Sequence, residues 1–453
     1  MGYSFSKIHA LAYSMIGVQT LYLATNWNPI YWNTACLIVN SGATDEDNGG
    51  QTDYSKIAKA IGDIRNHGIQ ISLVDINKSD FGFKPDVDNN QILFGLKGML
   101  NVGDDLIKAT IENRPYSSMM DFYNKVNPTR QAMIALIKGG AFDNFQSRMK
   151  NMVEFIWNSC DKKKRLTLQN MPGLIKYDLL PSGGEFDEAR RVYEFNRYLK
   201  AECKYGGTHY RLDDRALDFL HEIQAEKIIE EMPFLEIKKW DKVYQSWMDI
   251  FRVWIADNKD EILDNLNTTI FMEDWNKYAI GNISSWEMEA LCFYYHDHEL
   301  LHANMKKYGI SNFNDLPEFP VVEKTFTRGD ASINIFKLDK ICGTCIAKNK
   351  TKSTVYLLTT DGVVPVKFRQ EYFSMFDKQI SQRQEDGTKK VVEKSWFNRG
   401  NMIMVQGIRR EDEFVPKRYS STPGHQLYHI DAILENGDLE LRHTRATGAE
   451  EDE

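Results

Sequence analysis

The chain has 453 residues, with 56 Lys+Arg against 64 Asp+Glu and a formal net charge of −8. With 42% hydrophobic and 12% aromatic residues it can build real cores, about three domains at roughly 150 residues each, which excludes a wholly disordered chain. The acidic balance excludes coating of nucleic acid by bulk charge, though not local basic surfaces, and the six cysteines (Cys36, Cys160, Cys203, Cys292, Cys342, Cys345) are too sparse for a disulfide framework and fit a reducing compartment.

Apolar residues at Ile8, Leu11, Met15, Val18 and Tyr22 recur at helical spacing until Asn28-Pro29. The segment has neither a basic n-region nor a small-residue cleavage site, so it reads as a helix and as neither a signal peptide nor a membrane span. A second helix is expected from Pro29 to Val39, then a polar linker from Gly42 to Gly50. Tyr54 to His67 reads as an amphipathic helix closed by Gly68, Ile69 to Val74 as a strand, Asp86 to Asn90 as a turn and Gln91 to Gly95 as a further strand. Short helices joined by Gly-containing turns fill 102–145.

Residues 150–308 carry a charged, aromatic-rich helical pattern in which Trp240, Trp247, Trp254, Trp275 and Trp286 are expected to pack in cores. After the linker Leu316-Pro317-Glu318-Phe319-Pro320, strands are expected over Ile333–Ile346, Thr354–Thr359, Val363–Phe368, Met402–Arg409 and Leu427–Leu434. A helix around Gln370 to Ile380 separates the third from the fourth, which is the order of an OB-type barrel. The tail Gly448 to Glu453 is acidic, and disorder is expected there.

Three segments could carry binding. Phe94 to Gly103 places a Gly- and Asn-containing turn ahead of a helix starting near Asp104, where backbone N–H groups can meet a phosphate; Ala132 to Phe142 repeats the idea with Lys138-Gly139-Gly140. Lys348, Lys350 and Lys352 lie between the first two barrel strands, where such barrels present a loop to oligonucleotides; a solvated hairpin tip is the plainer reading.

Three other patterns are weighed against ordinary structure. Asp86 and Asp88 have the i, i+2 spacing of a two-metal carboxylate pair, but Asn89-Asn90 follow at once and favour an Asx-rich turn. His298 and His302 have zinc-ligand spacing beside His296, without a clear third or fourth ligand. Cys342 and Cys345 fall three apart in a strand, on opposite faces, and read as structural.

Taken together, the segments resemble the alpha subunit of bacterial replicative DNA polymerase III, a C-family polymerase. Gly2-Tyr3-Ser4-Phe5-Ser6-Lys7-Ile8-His9-Ala10 resembles the family's G-Y-x-F-N-K-S-H-A run in the fingers, and Asp75-Ile76-Asn77-Lys78-Ser79 its D-I-N-x-S segment. Phe94-Gly95-Leu96 with Val102-Gly103, and Leu136-Ile137-Lys138-Gly139-Gly140-Ala141-Phe142-Asp143, resemble its helix-hairpin-helix stretches. Glu287-Met288-Glu289-Ala290-Leu291 resembles its E-x-E-x-L, and Ile341 to Ile433 its barrel. Ser6 and Ile8 depart from the fingers motif, and Leu100 and Asn101 from the hairpin motif. Residues 150–280 carry no motif that can be placed in the family.

The resemblance implies an α+β multidomain protein with mainly α-helical fingers (1–45) and a tandem helix-hairpin-helix DNA-binding region (46–149). A variable helical insert (150–285), a helical linker (286–332), a C-terminal OB-fold β-barrel (333–436) and an acidic tail (437–453) would follow. It implies nucleotide contacts at Lys7 and His9, duplex contacts at Lys97, Asn101, Val102, Gly103, Lys138, Gly139 and Gly140, and single-strand contacts at Lys348, Lys350 and Lys352. The palm with its catalytic aspartates precedes the fingers in this family, so no catalytic or metal-binding residue is assigned here and Mg2+ is expected through another chain. A polymerase encoded as two chains is expected, a truncated one being the other explanation, with phage origin suggested by the divergence. The expected partners are an N-terminal chain carrying the palm, primer-template DNA, deoxynucleoside triphosphate and a sliding clamp, in the bacterial host cytoplasm at the nucleoid and with no membrane. Gln370 to Phe376 looks like a clamp-binding segment but falls in the barrel's helix. The alternative is a stand-alone nucleic-acid-binding or replisome scaffold protein without polymerase activity.

Overall fold

Capping residues fix the first three helices. In the computed structural model, α1 (Lys7–Asn26) begins behind Ser6, whose side chain accepts from the His9 amide. α2 (Pro29–Ser41) begins at a proline behind Asn28 and stops at left-handed Gly42, and α3 (Tyr54–Asn66) begins behind Asp53. The structure describes residues 6–44, 50–229, 231–328, 331–384, 388–420 and 423–446; Gly2 to Phe5, the middle of the expected 42–50 linker and the acidic tail from Gly448 lie outside the described residues. Two compact units emerge, Met1–Val153 with Gly281–Glu453, and Glu154–Ile280.

In the first unit, β1 (Gln70–Ile71), β2 (Lys84–Asp86) and β3 (Gln91–Leu93) form a small sheet of order β1-β3-β2. The strand expected over Ile69 to Val74 is shorter because the Asp75–Ser79 turn, closed by the Ser79 amide on the Asp75 carbonyl at 2.8 Å, takes the chain off the sheet. Then come α4 (Asp104–Glu112), α5 (Met119–Val126), α6 (Arg130–Lys138) and α7 (Arg148–Ser159), with Phe122 and Phe142 fully buried among them.

The second unit holds α8 (Met171–Lys176), α9 (Glu185–Glu202), β4 (Lys204–Tyr205), β5 (His209–Arg211), α10 (Asp214–Glu222), β6 (Phe234–Glu236) and α11 (Ile237–Tyr278). The three-stranded sheet β4-β5-β6 was not visible in the helical periodicity. α11 runs 42 residues with a break at Asn258 (φ −121°, ψ 17°). Trp240 is fully buried against Phe195, its indole N–H donating to Asn196 at 3.0 Å, and Trp247 and Trp254 pack onto the cores half-buried.

The chain re-enters the first unit with α12 (Ile283–Leu291), where Trp286 is fully buried, and α13 (Met305–Tyr308). β7 (Val322–Arg328) and β8 (Ala331–Phe336) make a hairpin, and β9 (Asp339–Asn349) opens the barrel, so the single strand expected over Ile333–Ile346 is in fact two. β10 (Thr354–Thr359), β11 (Gly362–Lys367) and α14 (Gln370–Asp377) follow, then a ribbon of β12 (Ile380–Arg383) and β13 (Lys389–Glu393), then β14 (Met402–Arg410) and β15 (Glu413–Pro416). The ring β9-β10-β11-β15-β14 closes on β9, with β15 parallel to β11, which is the strand order of an OB-fold. The fifth barrel strand is therefore β15 and not Leu427–Leu434. That segment, β16 (Leu427–Ile433), pairs with the Met402–Val405 end of β14 and with β17 (Leu439–Arg442), extending the sheet beyond the ring. Closure needs a tight crossing at Gly407, where a Cβ would lie 2.2 Å from the Val415 carbonyl. α14 packs Phe373 and Phe376 into the barrel core beside Trp396 and Phe397, so the clamp-like sequence spends its aromatics internally.

The barrel is fastened to the hairpin region by the segment after α12. Tyr294 OH lies 2.8 Å from Thr344 Oγ1, and Arg65 of α3 donates to the carbonyls of Tyr294 and Tyr295. His298 is buried with Nδ1 accepting from the Leu300 amide at 3.1 Å and Nε2 2.9 Å from the Leu358 carbonyl, which sets the neutral Nε2–H tautomer. Burial pulls its pKa down from 6.5 to about 4. Between those values the unfolded chain binds more protons than the folded one. The contribution is intact above about pH 6.5, and up to about 3 kcal/mol is lost as pH falls towards 4. Urea midpoints at pH 7.5 and 4.5 should show this loss in the wild type and a flatter profile in His298→Gln.

Candidate nucleic-acid interface

The first turn of the hairpin region is built to expose backbone. Met99 is buried, the Leu100 amide donates to the Ala290 carbonyl at 2.8 Å, and Val102 is buried, so the turn is pinned on both sides of Asn101. Asn101 sits exposed at φ 60°, a conformation Asn tolerates better than other residues with a Cβ. Gly103 then caps α4 with extended dihedrals (φ −83°, ψ 161°), and a Cβ added there would meet nothing within 4 Å. The fold itself does not demand this glycine; what its absent side chain leaves open is the approach to the first amides of a nine-residue helix. Asp104 and Asp105 in the first turn oppose an anion, but Lys97 Nζ lies 2.5 Å from Asp104 Oδ1 and offsets one of these charges. Lys97 is thus a half-buried partner of Asp104 rather than an exposed cation.

The second turn is turned inward. Residues 132–142 are all buried, and Lys138 gives its ammonium to Glu289 of α12. A Cβ at Gly139 would sit 2.5 Å from Met99 Cε and 3.3 Å from the Ala135 carbonyl and Leu291 Cδ2, so the two turns pack back to back and a side chain there would require Met99 to shift. Gly140 takes φ 85° with the Arg148 guanidinium against it. Arg148 donates to Asp143 at 2.6 Å, to Glu287 at 3.0 Å and to the Lys138 carbonyl at 3.1 Å. Fully buried Glu287 also accepts from the amides of Tyr295 and His296 and faces His296 Nδ1 at 2.6 Å. Lys138, Gly139 and Gly140 are therefore buried, Gly140 at the edge of a cleft it shares with Asp143 and Asn144. They position the first turn.

The barrel loop divides in the same way. Lys348 reaches into the barrel end, 2.5 Å from Asp377, with Ser395 and Asn398 alongside. Asp377 is desolvated, yet the hydrogen bonds from Lys348 and Ser395 hold it below the usual carboxylate range. Lys350 has a largely exposed side chain 3.4 Å from the other Asp377 oxygen, and Lys352 is exposed at the turn, its amide held by Asn349. Lys7 and His9 lie exposed on the first turn of α1, a helix in which no residue is buried. Ser6, where the resemblance has Asn, caps the helix by accepting from the His9 amide.

The other patterns resolve into structure. Asp86 accepts from Asn89 and Gln91 side chains at 2.8 Å each, holding the turn over 87–90. His296 and His298 serve Glu287 and the Leu358 carbonyl. Cys342 faces Met305, and Cys345 faces the Trp396 carbonyl; burial pushes the Cys342 thiol up to about 12. Among the described residues no group of three His, Cys, Asp or Glu is placed to hold a metal, and no helix is long and apolar enough to cross a membrane. Arg148, Met99 and the internal roles of Glu287 and Glu289 were missed by sequence reasoning. Two carboxylates inside the apolar run Trp286 to Leu291 were the available signal.

Comparison with known proteins adds a set of relatives. Residues 68–152 match the model described as a helix-hairpin-helix motif, which takes in both turns. The chain is 40% identical, over 98% of its length, to a Bacillus subtilis protein named Probable DNA polymerase YorL and to a DNA-directed DNA polymerase of Bacillus phage SPbeta, in each case covering 35% of the relative. It is 34% identical over 155 residues to DNA polymerase III subunit alpha of Thermus aquaticus, 33% of this chain and 12% of that protein. The chain thus spans about a third of the length of the relatives it matches most fully, corresponding to the C-terminal portion of larger DNA polymerases.

Substitutions at two positions test the geometry. Glu287→Ala strips the buried guanidinium of one partner and is expected to cost about 3 kcal/mol in denaturant unfolding, within the range for breaking a buried pair. Asn101→Gly should leave stability within about 0.5 kcal/mol, whereas Asn101→Val, with a branched side chain at positive φ, should lower it by at least about 1 kcal/mol in the same assay.

Proposed function

We propose, from its homology to the C-terminal portion of larger DNA polymerases, that this chain is the DNA-gripping part of a C-family replicative polymerase. The observation that carries the reading is the open turn at Asn101–Gly103, an unobstructed approach to a helix N-terminus that internal packing does not require. Tyr54 links that turn to the barrel. Its hydroxyl lies 3.4 Å from the Met99 carbonyl, and Arg399 of the barrel lies over its ring. Duplex phosphates at the turn and single-stranded template at Lys350 and Lys352 would therefore be held by one unit at a fixed separation.

In this reading Lys7 and His9 face the triphosphate of the incoming nucleotide, supplying charge and hydrogen bonds without chemistry of their own. In the same reading Mg2+ and the carboxylates that hold it would come from a separate palm-containing chain, with which this chain would work in the bacterial cytoplasm. The chain contributes positioning: it aligns primer end, template and nucleotide so that the reaction becomes effectively unimolecular. A sliding clamp would engage elsewhere than Phe373 and Phe376, which are buried.

Gly103→Glu places a carboxylate in open space and should fold normally. Fluorescence anisotropy with a primer-template is expected to show at least a tenfold loss of affinity, and unchanged affinity would overturn the hairpin contact. In primer extension reconstituted with a palm-containing portion of a homologous polymerase, Lys7→Ala with His9→Ala should raise KM for nucleotide while leaving DNA affinity unchanged.

A further inference from the structure

No residue of the 20-residue helix α1 is buried, although most of its side chains are apolar. Ile8, Ile16, Tyr13, Leu21, Val18 and Met15 are each more than half exposed. At about 100° per residue these six follow one another round the axis with no gap wider than about 80°. Lys7 and His9 in the first turn are its basic residues, and it carries no carboxylate. Several polar side chains turn back on the helix itself. Ser14 donates to the Ala10 carbonyl and Thr25 to that of Leu21, each at 2.8 Å, and Asn26 donates to that of Tyr22 at 3.0 Å. Enclosing the helix would leave these donors satisfied.

A helix on a protein surface keeps a polar face, whereas one that is apolar all round belongs inside a fold. α1 is not long and apolar enough to cross a membrane, and without a polar face it does not suit the membrane surface either. A second copy of the same helix would cover a single seam and leave the other sides in water. The occupant has to wrap the helix. Homology indicates where such a partner would come from. The two longest matches pair 98% of this chain with 35% of the relative, at its C-terminal portion, so the rest of each relative lies ahead of the matched stretch, on the side of α1.

We propose that α1 docks this chain onto the palm-containing portion of the polymerase by entering an apolar groove there. The inference rests on the polymerase reading given above and adds the surface through which the two parts join. Lys7 and His9, at the start of the helix, are carried to that portion by the same contact.

The test uses the full chain and, as probe, the N-terminal portion of the Bacillus phage SPbeta DNA-directed DNA polymerase that precedes the stretch matched here. Ile16→Glu combined with Leu21→Glu puts charges on two sides of α1. Both side chains are exposed, so the double variant should melt like the wild type. In biolayer interferometry the wild type should bind the probe, and the double variant should bind at least about a hundredfold more weakly, since two large apolar side chains leave the interface and two charges enter it. No complex with the wild type, or equal binding by the double variant, would overturn the docking. So would a wild-type dimer in sedimentation that the double variant splits, because α1 would then belong to a second copy. Primer-template anisotropy keeps the two readings apart. If Gly103→Glu retains DNA affinity while the double variant loses the probe, the DNA grip fails and the docking helix stands.

Discussion

The first unit depends on one buried pair, the Arg148 guanidinium against the Glu287 carboxylate. The two residues are 139 positions apart and flank the second unit in sequence. Such a pair contributes little net stability relative to well-packed apolar groups, because both charges leave water. Its value is in geometry. Further bonds run to the Asp143 carboxylate, the Lys138 carbonyl, the amides of Tyr295 and His296 and the His296 ring, so α6, the second turn and the segment after α12 take one mutual arrangement. On that base Met99 packs over Gly139, and the first turn is lifted to the surface.

The two hairpin turns are thus alike in sequence and different in use. Both contain glycine before or after a helix, but at Gly139 and Gly140 the missing Cβ makes room for the protein itself, whereas at Gly103 it makes room for something else. The lysines divide by exposure: Lys97, Lys138 and Lys348 are drawn into the fold by carboxylate partners, while Lys350, although it also meets Asp377, and Lys352 keep their side chains towards solvent. An acidic chain can in this way carry a small number of exposed cations at the places where DNA would lie.

Much of this was legible in the sequence. Helix starts at Ser6, Asn28 and Asp53, the turn at Asp86 and most strands of the barrel follow from capping, turn chemistry and alternation. The closing strand was hidden because it is four residues long and follows the acidic run Glu411–Glu413, while Leu427–Leu434 offered a longer and more apolar decoy. The inward role of Lys138 was hidden for a different reason. Its partner Glu289 lies 151 residues away, and no local pattern reveals which cations will find carboxylates at that distance.

The same separation has a temporal side. On a ribosome adding about 5–20 residues per second, Glu287 is made roughly 7–28 s after Arg148. For that interval the second turn has a guanidinium and no buried carboxylate beyond Asp143 to receive it. The residues made in between are those of the Glu154–Ile280 unit, which has its own cores and can fold while the hairpin region waits. The order of synthesis lets the insert form first and the exposed turn at Asn101–Gly103 settle later, although the turn comes first in the sequence.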